Sequence, residues 1–249
     1  MNSGMKNWMV LLLVLLTGCA GSGAPDERAR NVAQVHTELA ASYFERGQYS
    51  VALQELGIAL QADDSYAPAY NVRGLVRMTL REDKQAEADF LHSLKLEPAN
   101  AGAHNNYGWF LCQRGRPKDS IPQFMAALND PLYNTPDLAY ANAGICAHKG
   151  GDSAAAATYL QRALILHPDM PEALSGQATV AYDSGDYAAA KSWLLRFLKS
   201  GRDLDAEQLW LAVRIERKLG NRNAAASFAL QLSKRFPDSR EAQLLQSGE

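Results

Sequence analysis

Three cysteines and five histidines are the residues of this 249-residue chain whose types could do chemistry. Cys112 and Cys146 stand 34 residues apart. They form a candidate disulfide, which requires Cα atoms within about 7 Å. The alternative is two buried thiols acting as small apolar side chains. The histidines, His36, His92, His104, His148 and His167, are scattered. None pairs with another His or a Cys at the short spacing that presents two ligands to one metal ion. There is no P-loop, dinucleotide fingerprint, His-Glu-x-x-His or Gly-x-Ser-x-Gly string. Polar groups that do not converge cannot share a reacting atom, so the chain reads as a non-enzyme with no catalytic residue and no metal. With 25 Lys+Arg against 27 Asp+Glu the net charge is -2. That lacks the basic excess which phosphate backbones select, so no nucleic-acid partner is expected. A hydrophobic share of 47% excludes disorder as the global state.

Cys19 has a different context. Lys6 precedes an unbroken apolar run from Trp8 to Leu16, too short to span a bilayer as a helix. The run ends in Leu16-Thr17-Gly18-Cys19, which resembles a bacterial lipobox. The resemblance implies a signal peptide over residues 1–18 and acyl chains on Cys19 as the only attached group, with no cofactor. Several acyl chains anchor a protein stably where one does not. Residue 20 is Ala rather than Asp. The expected location is therefore the periplasmic face of the outer membrane of a Gram-negative bacterium. Residues 19–32 read as the lipidated Cys and a flexible tether. A fully extended chain over that length reaches ~45 Å.

The elements that must position the remaining residues are set by a repeat. Small residues recur at Ala40, Gly74, Gly108, Gly144, Ala178 and Ala212, at spacings of 34, 34, 36, 34 and 34. A second series runs Gly47, Arg81, Gly115, Gly151, Gly185 and Gly220, and a third Ala52, Ala86, Ser120, Ala156, Ala190 and Ala225. A 34-residue period with this pattern is the tetratricopeptide (TPR) signature. The first small residue lets helix A approach helix B of its own unit. The Gly allows the left-handed backbone that ends helix A. The fold class is therefore all-α, a right-handed superhelical solenoid of about six units over residues 33–238, with a polar C-terminal tail over 239–249. The register of the sixth unit is open, because Gly220 comes one residue late. The 36-residue step places an insertion within Asn129–Pro136 that should end the preceding helix early.

The repeat also reframes the two cysteines. They fall near the ends of helix A in units three and four, at +4 and +2 from the small residue of each unit. Equivalent positions on packed helices are about 9–10 Å apart, too far for a disulfide, but the offset could shorten the gap. An oxidising periplasm would favour the bridge.

Helices A line the concave face of such a solenoid. Counting along them gives a candidate peptide-binding groove of Thr37, Phe44, Asn71, Leu75, Met78, Asn105, Asn106, Trp109 and Asn142. Ala41 and Ala141 continue it, as do Ile145, Ser175, Thr179 and Tyr182. Units one to three carry the larger apolar groups and are the expected contact region. Asn106 and Asn142 occupy matching places, where amides could hold a peptide backbone or satisfy each other. Phe44, Met78 and Trp109 could equally be core between units.

Longer strings are more specific than the repeat. Asn105-Asn106-Tyr107-Gly108-Trp109-Phe110-Leu111-Cys112 resembles the third unit of the type IV pilus biogenesis lipoproteins called PilF or PilW. Asp130-Pro131-Leu132-Tyr133, Asn142-Ala143-Gly144-Ile145-Cys146 and Ala224–Leu232 with Phe236-Pro237 are similar to that family too. The resemblance covers nearly the whole mature chain. It implies a pilotin, a monomeric outer-membrane lipoprotein that binds the type IV pilus secretin subunit and promotes its localisation or multimerisation, and hence twitching motility. Two other functions fit the same features: a general outer-membrane protein assembly factor, and a TPR adaptor that regulates a cell-wall enzyme.

Overall fold

The computed structural model describes residues 27–248. The expected signal peptide, Cys19 and the first part of the expected tether lie outside the described residues. Twelve helices form six hairpins: α1 (Glu27–Glu45) with α2 (Tyr49–Ala62), α3 (Ala67–Thr79) with α4 (Asp83–Leu96), and α5 (Ala101–Gln113) with α6 (Pro117–Leu128). These are followed by α7 (Pro136–Lys149) with α8 (Ser153–Leu166), α9 (Pro171–Asp183) with α10 (Tyr187–Lys199), and α11 (Ala206–Lys218) with α12 (Arg222–Arg235). A last helix, α13 (Arg240–Ser247), follows them. Each odd-numbered helix of a hairpin packs on the next even-numbered one, and α1, α3, α5, α7, α9 and α11 pack side by side in order. No described residue is in a strand.

Local chemistry sets the helix ends. Asp152, Asp186, Asn100 and Ser239 each accept a hydrogen bond from a backbone N–H in the first turn of the following helix. Such a bond satisfies a donor that the helix itself cannot. Asp205 and Gln208 form a full capping box at the start of α11. The turns within hairpins place Gly47, Gly115, Gly151, Gly185 and Gly220 at φ between 72° and 87°. In unit two Arg81 takes the same left-handed conformation at φ 63°. A side chain there is crowded against its own backbone, at a cost of about 1–2 kcal/mol.

The small residues act where the helices of a hairpin cross. A Cβ at Gly74 would stand 2.8 Å from the Phe90 ring, at Gly108 2.9 Å from Phe124, and at Gly144 2.5 Å from Leu160. The large partner follows the small one by sixteen residues each time. In unit six, counting back seven residues from the Gly220 turn gives Val213 rather than Ala212, and nine residues forward gives Ala229. The register follows the turn, and large and small exchange places across the hairpin. Ala212 and Val213 are both buried.

Among the described residues there is no single core. Buried side chains fall into successive clusters: one in units one and two around Leu56, one around Phe90 and Phe110, one around Cys112, Phe124 and Cys146, and one through units four to six. This is the neighbour-only packing of a solenoid.

Two boundaries differ from the sequence reading. Residues 27–32, expected to be tether, are already helical in α1. The polar tail is helix over Arg240–Ser247, which buries Ala242 and packs on α11 and α12. Ala242 is buried and Leu244 and Leu245 pack against the same cluster, too short a run to leave a periodic signal. The insertion behaves as expected. Helix α6 stops at Leu128, and the loop that follows turns through Tyr133 N–H to Asp130 O at 3.2 Å.

Candidate peptide-binding groove

The two cysteines meet. Cys112 on α5 and Cys146 on α7 form a disulfide with Cα atoms 5.7 Å apart, inside the usual range. Both are buried, beside Phe124 and Ala143. The two-position offset along parallel helices A brings them closer than equivalent residues would be.

The amides also meet, in pairs between units. Asn142 donates to Asn105 at 3.1 Å, and both are buried. Asn106 donates to Asn71 at 3.2 Å. The same two positions are used each time, so the pairs repeat with the solenoid. They hold α3, α5 and α7 in register through each other. Thr37 is buried too, its hydroxyl donating to Ala33 O at 2.7 Å.

Phe44 packs in the first cluster, its ring 5.9 Å from that of Tyr49. Leu75 and Met78 pack against Phe90, Tyr107 and Phe110. Ala141 is buried, and Ala41 is half-buried. Of the nine groove candidates, Trp109 lines the cavity described next; Ile145, Ser175 and Thr179 line it with Trp109.

The cavity measures about 620 Å³ and is formed by α5, α7, α9 and α11, with Leu160 of α8 as its floor. It lies over units three to six and meets the expected contact region in unit three, at Trp109 and Gln113. The reason is side-chain size. Position by position, α3 carries Asn71, Val72 and Leu75 and α5 carries Asn105, Asn106 and Trp109, where α9 carries Ser175, Gly176 and Thr179. Unit five leaves space that the earlier units fill. At Gly176 even a Cβ would stand 2.8 Å from Leu160.

The cavity is mixed in polarity. Trp109, Ile145 and Leu211 supply apolar surface. His148 bonds Asp183 at 2.9 Å and touches Ser153 at 3.5 Å. Lys149 lies over the Trp109 ring at 5.8 Å. Arg214 lies over the Tyr182 ring at 4.6 Å and near Trp210 at 5.8 Å, so Tyr182 meets the cavity through Arg214. The sequence pattern does not single out Gln113, Lys149, Leu211 or Arg214, because each becomes a groove residue only through the small side chains of α9. Among the described residues, no group of three or more His, Cys, Asp or Glu could hold a metal ion. No described helix is long and apolar enough to cross a membrane.

Residues 67–100 and 144–205 match the tetratricopeptide repeat family. The chain is 30% identical over 242 residues to the type IV pilus assembly protein PilF of Pseudomonas aeruginosa, covering 95% of this chain and 96% of the relative. Its fold matches a crystal structure of PilW, described as a widely conserved type IV pilus biogenesis factor, with a TM-score of 0.80 and 34% identity over 86% of this chain and 98% of that one. A structure of Pseudomonas aeruginosa PilF matches with a TM-score of 0.78 at 27% identity, over 90% of this chain and all of that one. A hairpin solenoid with these turns, and a likeness that runs through both chains almost end to end, place the protein: it belongs to the PilF/PilW family of TPR proteins of type IV pilus biogenesis.

Proposed function

We propose that this protein is an outer-membrane pilotin, anchored through acyl chains on Cys19, that binds the secretin subunit of the type IV pilus and promotes its localisation and multimerisation in the outer membrane. The observation that carries this reading is the open cavity across four helices A, in a chain of a pilus-assembly family. Such a surface takes a segment of another protein: apolar pockets hold side chains and polar groups at the rim fix register. The action is passive. The solenoid holds a secretin monomer, and the lipid carries the pair to the membrane.

Deletion of the gene tests the reading. Expected are loss of secretin multimers and of twitching, with bulk porins unchanged. Reduced porins would instead indicate a general outer-membrane assembly factor. Co-purification with a peptidoglycan synthase or hydrolase and no secretin would indicate a cell-wall adaptor. Cys19→Ala is expected to give an unacylated precursor or a soluble periplasmic protein. Continued fractionation with the outer membrane would refute the anchor.

A further inference from the structure

Arg214 is set apart from the arginines that join helices. Arg73 and Arg77 pair with the buried Asp89, Arg114 with Asp83 and Arg116 with Glu87. Arg214 makes no hydrogen bond or ion pair with any described residue, and its Nε is buried without an acceptor. The nearest buried acid on its own helix, Glu216, is already taken by Lys191 and Asn221. What holds Arg214 is the face of Tyr182. An unpaired guanidinium partly removed from water lacks an anion that would recover its lost hydration.

The carboxylates around the cavity do not supply that anion. Glu172 is bonded by Arg202 at 3.2 Å, Asp183 by His148 at 2.9 Å, and Asp205 caps α11 through Gln208 N–H at 2.8 Å. Glu207 alone has no such partner among the described residues. The uncommitted cations are Arg214 on α11 and Lys149 on α7, with the small residues of α9 between them. Lys149 rests on Trp109 and pairs with no carboxylate among the described residues.

We propose that this cavity binds an internal segment of its partner in which two Asp or Glu side chains flank apolar ones, the acids meeting Lys149 and Arg214 and the apolar groups resting on Trp109, Ile145 and Leu211. This rests on the reading of the cavity as a protein-binding groove and names the partner's chemistry. Packed helices are about 10 Å apart, so the two cations stand of order 20 Å apart across α9. An extended strand covers that in about six residues. A terminal carboxylate by itself meets only one of the two cations, so the proposal commits to two acidic side chains of an internal segment.

The test uses the mature chain and fluorescein-labelled peptides with acetylated and amidated ends. One peptide has two Glu separated by five residues that include Leu and Ile. Its counterpart has Gln for both Glu. The Glu peptide is expected to bind at least about tenfold more tightly, the range of a charge-assisted hydrogen bond. Arg214→Gln and Lys149→Gln should each remove part of that difference and leave the Gln peptide unaffected. Lys149 is exposed, so its variant retains the fold should Arg214→Gln lose helicity. Equal affinity for the two peptides would overturn the proposal, as would Glu-peptide affinity unchanged in both variants. So would tight binding seen only with a third peptide, the Gln sequence with its C-terminal carboxylate left free. Capture of the purified secretin is scored separately. Glu-selective peptide binding without secretin capture would sink the pilotin reading and leave this one standing. Secretin capture without Glu selectivity would do the reverse.

Discussion

Reduction of the Cys112–Cys146 disulfide should lower stability by an amount the structure lets one calculate. The bridge closes a loop with a sequence separation of 34. In the chain-entropy description, opening it restores to the unfolded state about 3.8 kcal/mol of conformational freedom at 25 °C. Packing loss on the native side is small, because the reduced thiols stay in the same apolar cluster with Phe124 and Ala143. Taking a urea slope of about 2 kcal/mol per molar, the midpoint should fall by about 2 M when dithiothreitol is added. A Cys19→Ser chain removes the third thiol, and Cys112→Ala/Cys146→Ala provides a reductant-independent comparison. The effect should also be local, since a solenoid transmits stability only between neighbours. Hydrogen exchange should accelerate in α5 to α8 and remain unchanged in α1 and α2. A midpoint that moves by less than about 0.3 M would refute the reasoning. Rapid alkylation of both thiols in the native, unreduced protein would refute it more directly.

Other perturbations follow from single positions. Arg81→Gly relieves a left-handed side chain at φ 63°. After subtracting the extra freedom Gly brings to the unfolded chain, it should stabilise by about 0.5–1 kcal/mol, read as a melting temperature higher by about 2 °C. Gly144→Ala should destabilise by about 1–3 kcal/mol in the same assay, because its Cβ collides with Leu160. Gly57→Ala, with nothing within 4 Å, should instead stabilise by up to about 1 kcal/mol. Tyr107 is pushed up to about 12 by burial and by its hydrogen bond to Glu87. A raised folded value means that its contribution is complete below the ordinary tyrosine range near 10 and is lost as pH rises through about 12. Absorbance titration of tyrosinate should show a late component that disappears in Tyr107→Phe. Trp109→Ala should weaken partner binding with helicity intact, and loss of helicity would make Trp109 core instead.

The repeat was legible because each unit needs the same two things: a small residue where its helices cross, and a residue tolerant of positive φ at its turn. Gly74, Gly108 and Gly144 announce the first, and Gly47 through Gly220 the second. Arg81 breaks the letter of the pattern and keeps its geometry. The groove was less legible, for a physical reason. Whether a helix A position is open depends on side chains one repeat away, and a single-helix count cannot see them. Leu75 and Met78 point-count as groove residues, yet Tyr107 and Phe110 of the next unit fill the space beside them. Asn106 and Asn142 read equally well as ligands for a peptide backbone until Asn71 and Asn105 are seen across the helix interface. The cavity follows from Ser175 and Gly176, whose smallness is a signal only when laid against the equivalent residues of the neighbouring units.

The disulfide also has a mechanical meaning. Tension between the two ends of the described chain runs along the backbone through unit one, unit two and α5 to Cys112. There it crosses the sulfurs to Cys146 and continues through the end of α7, α8, unit five and unit six. Residues 113–145, with α6 and the inserted loop, are shunted out of the force path. The cavity straddles the shunt: Gln113 and Ile145 lie inside it, Trp109 lies on the loaded side before it, and His148, Lys149, α9 and α11 lie after it. A pull on the protein would therefore be felt by most of the groove while the odd loop beside it stays slack.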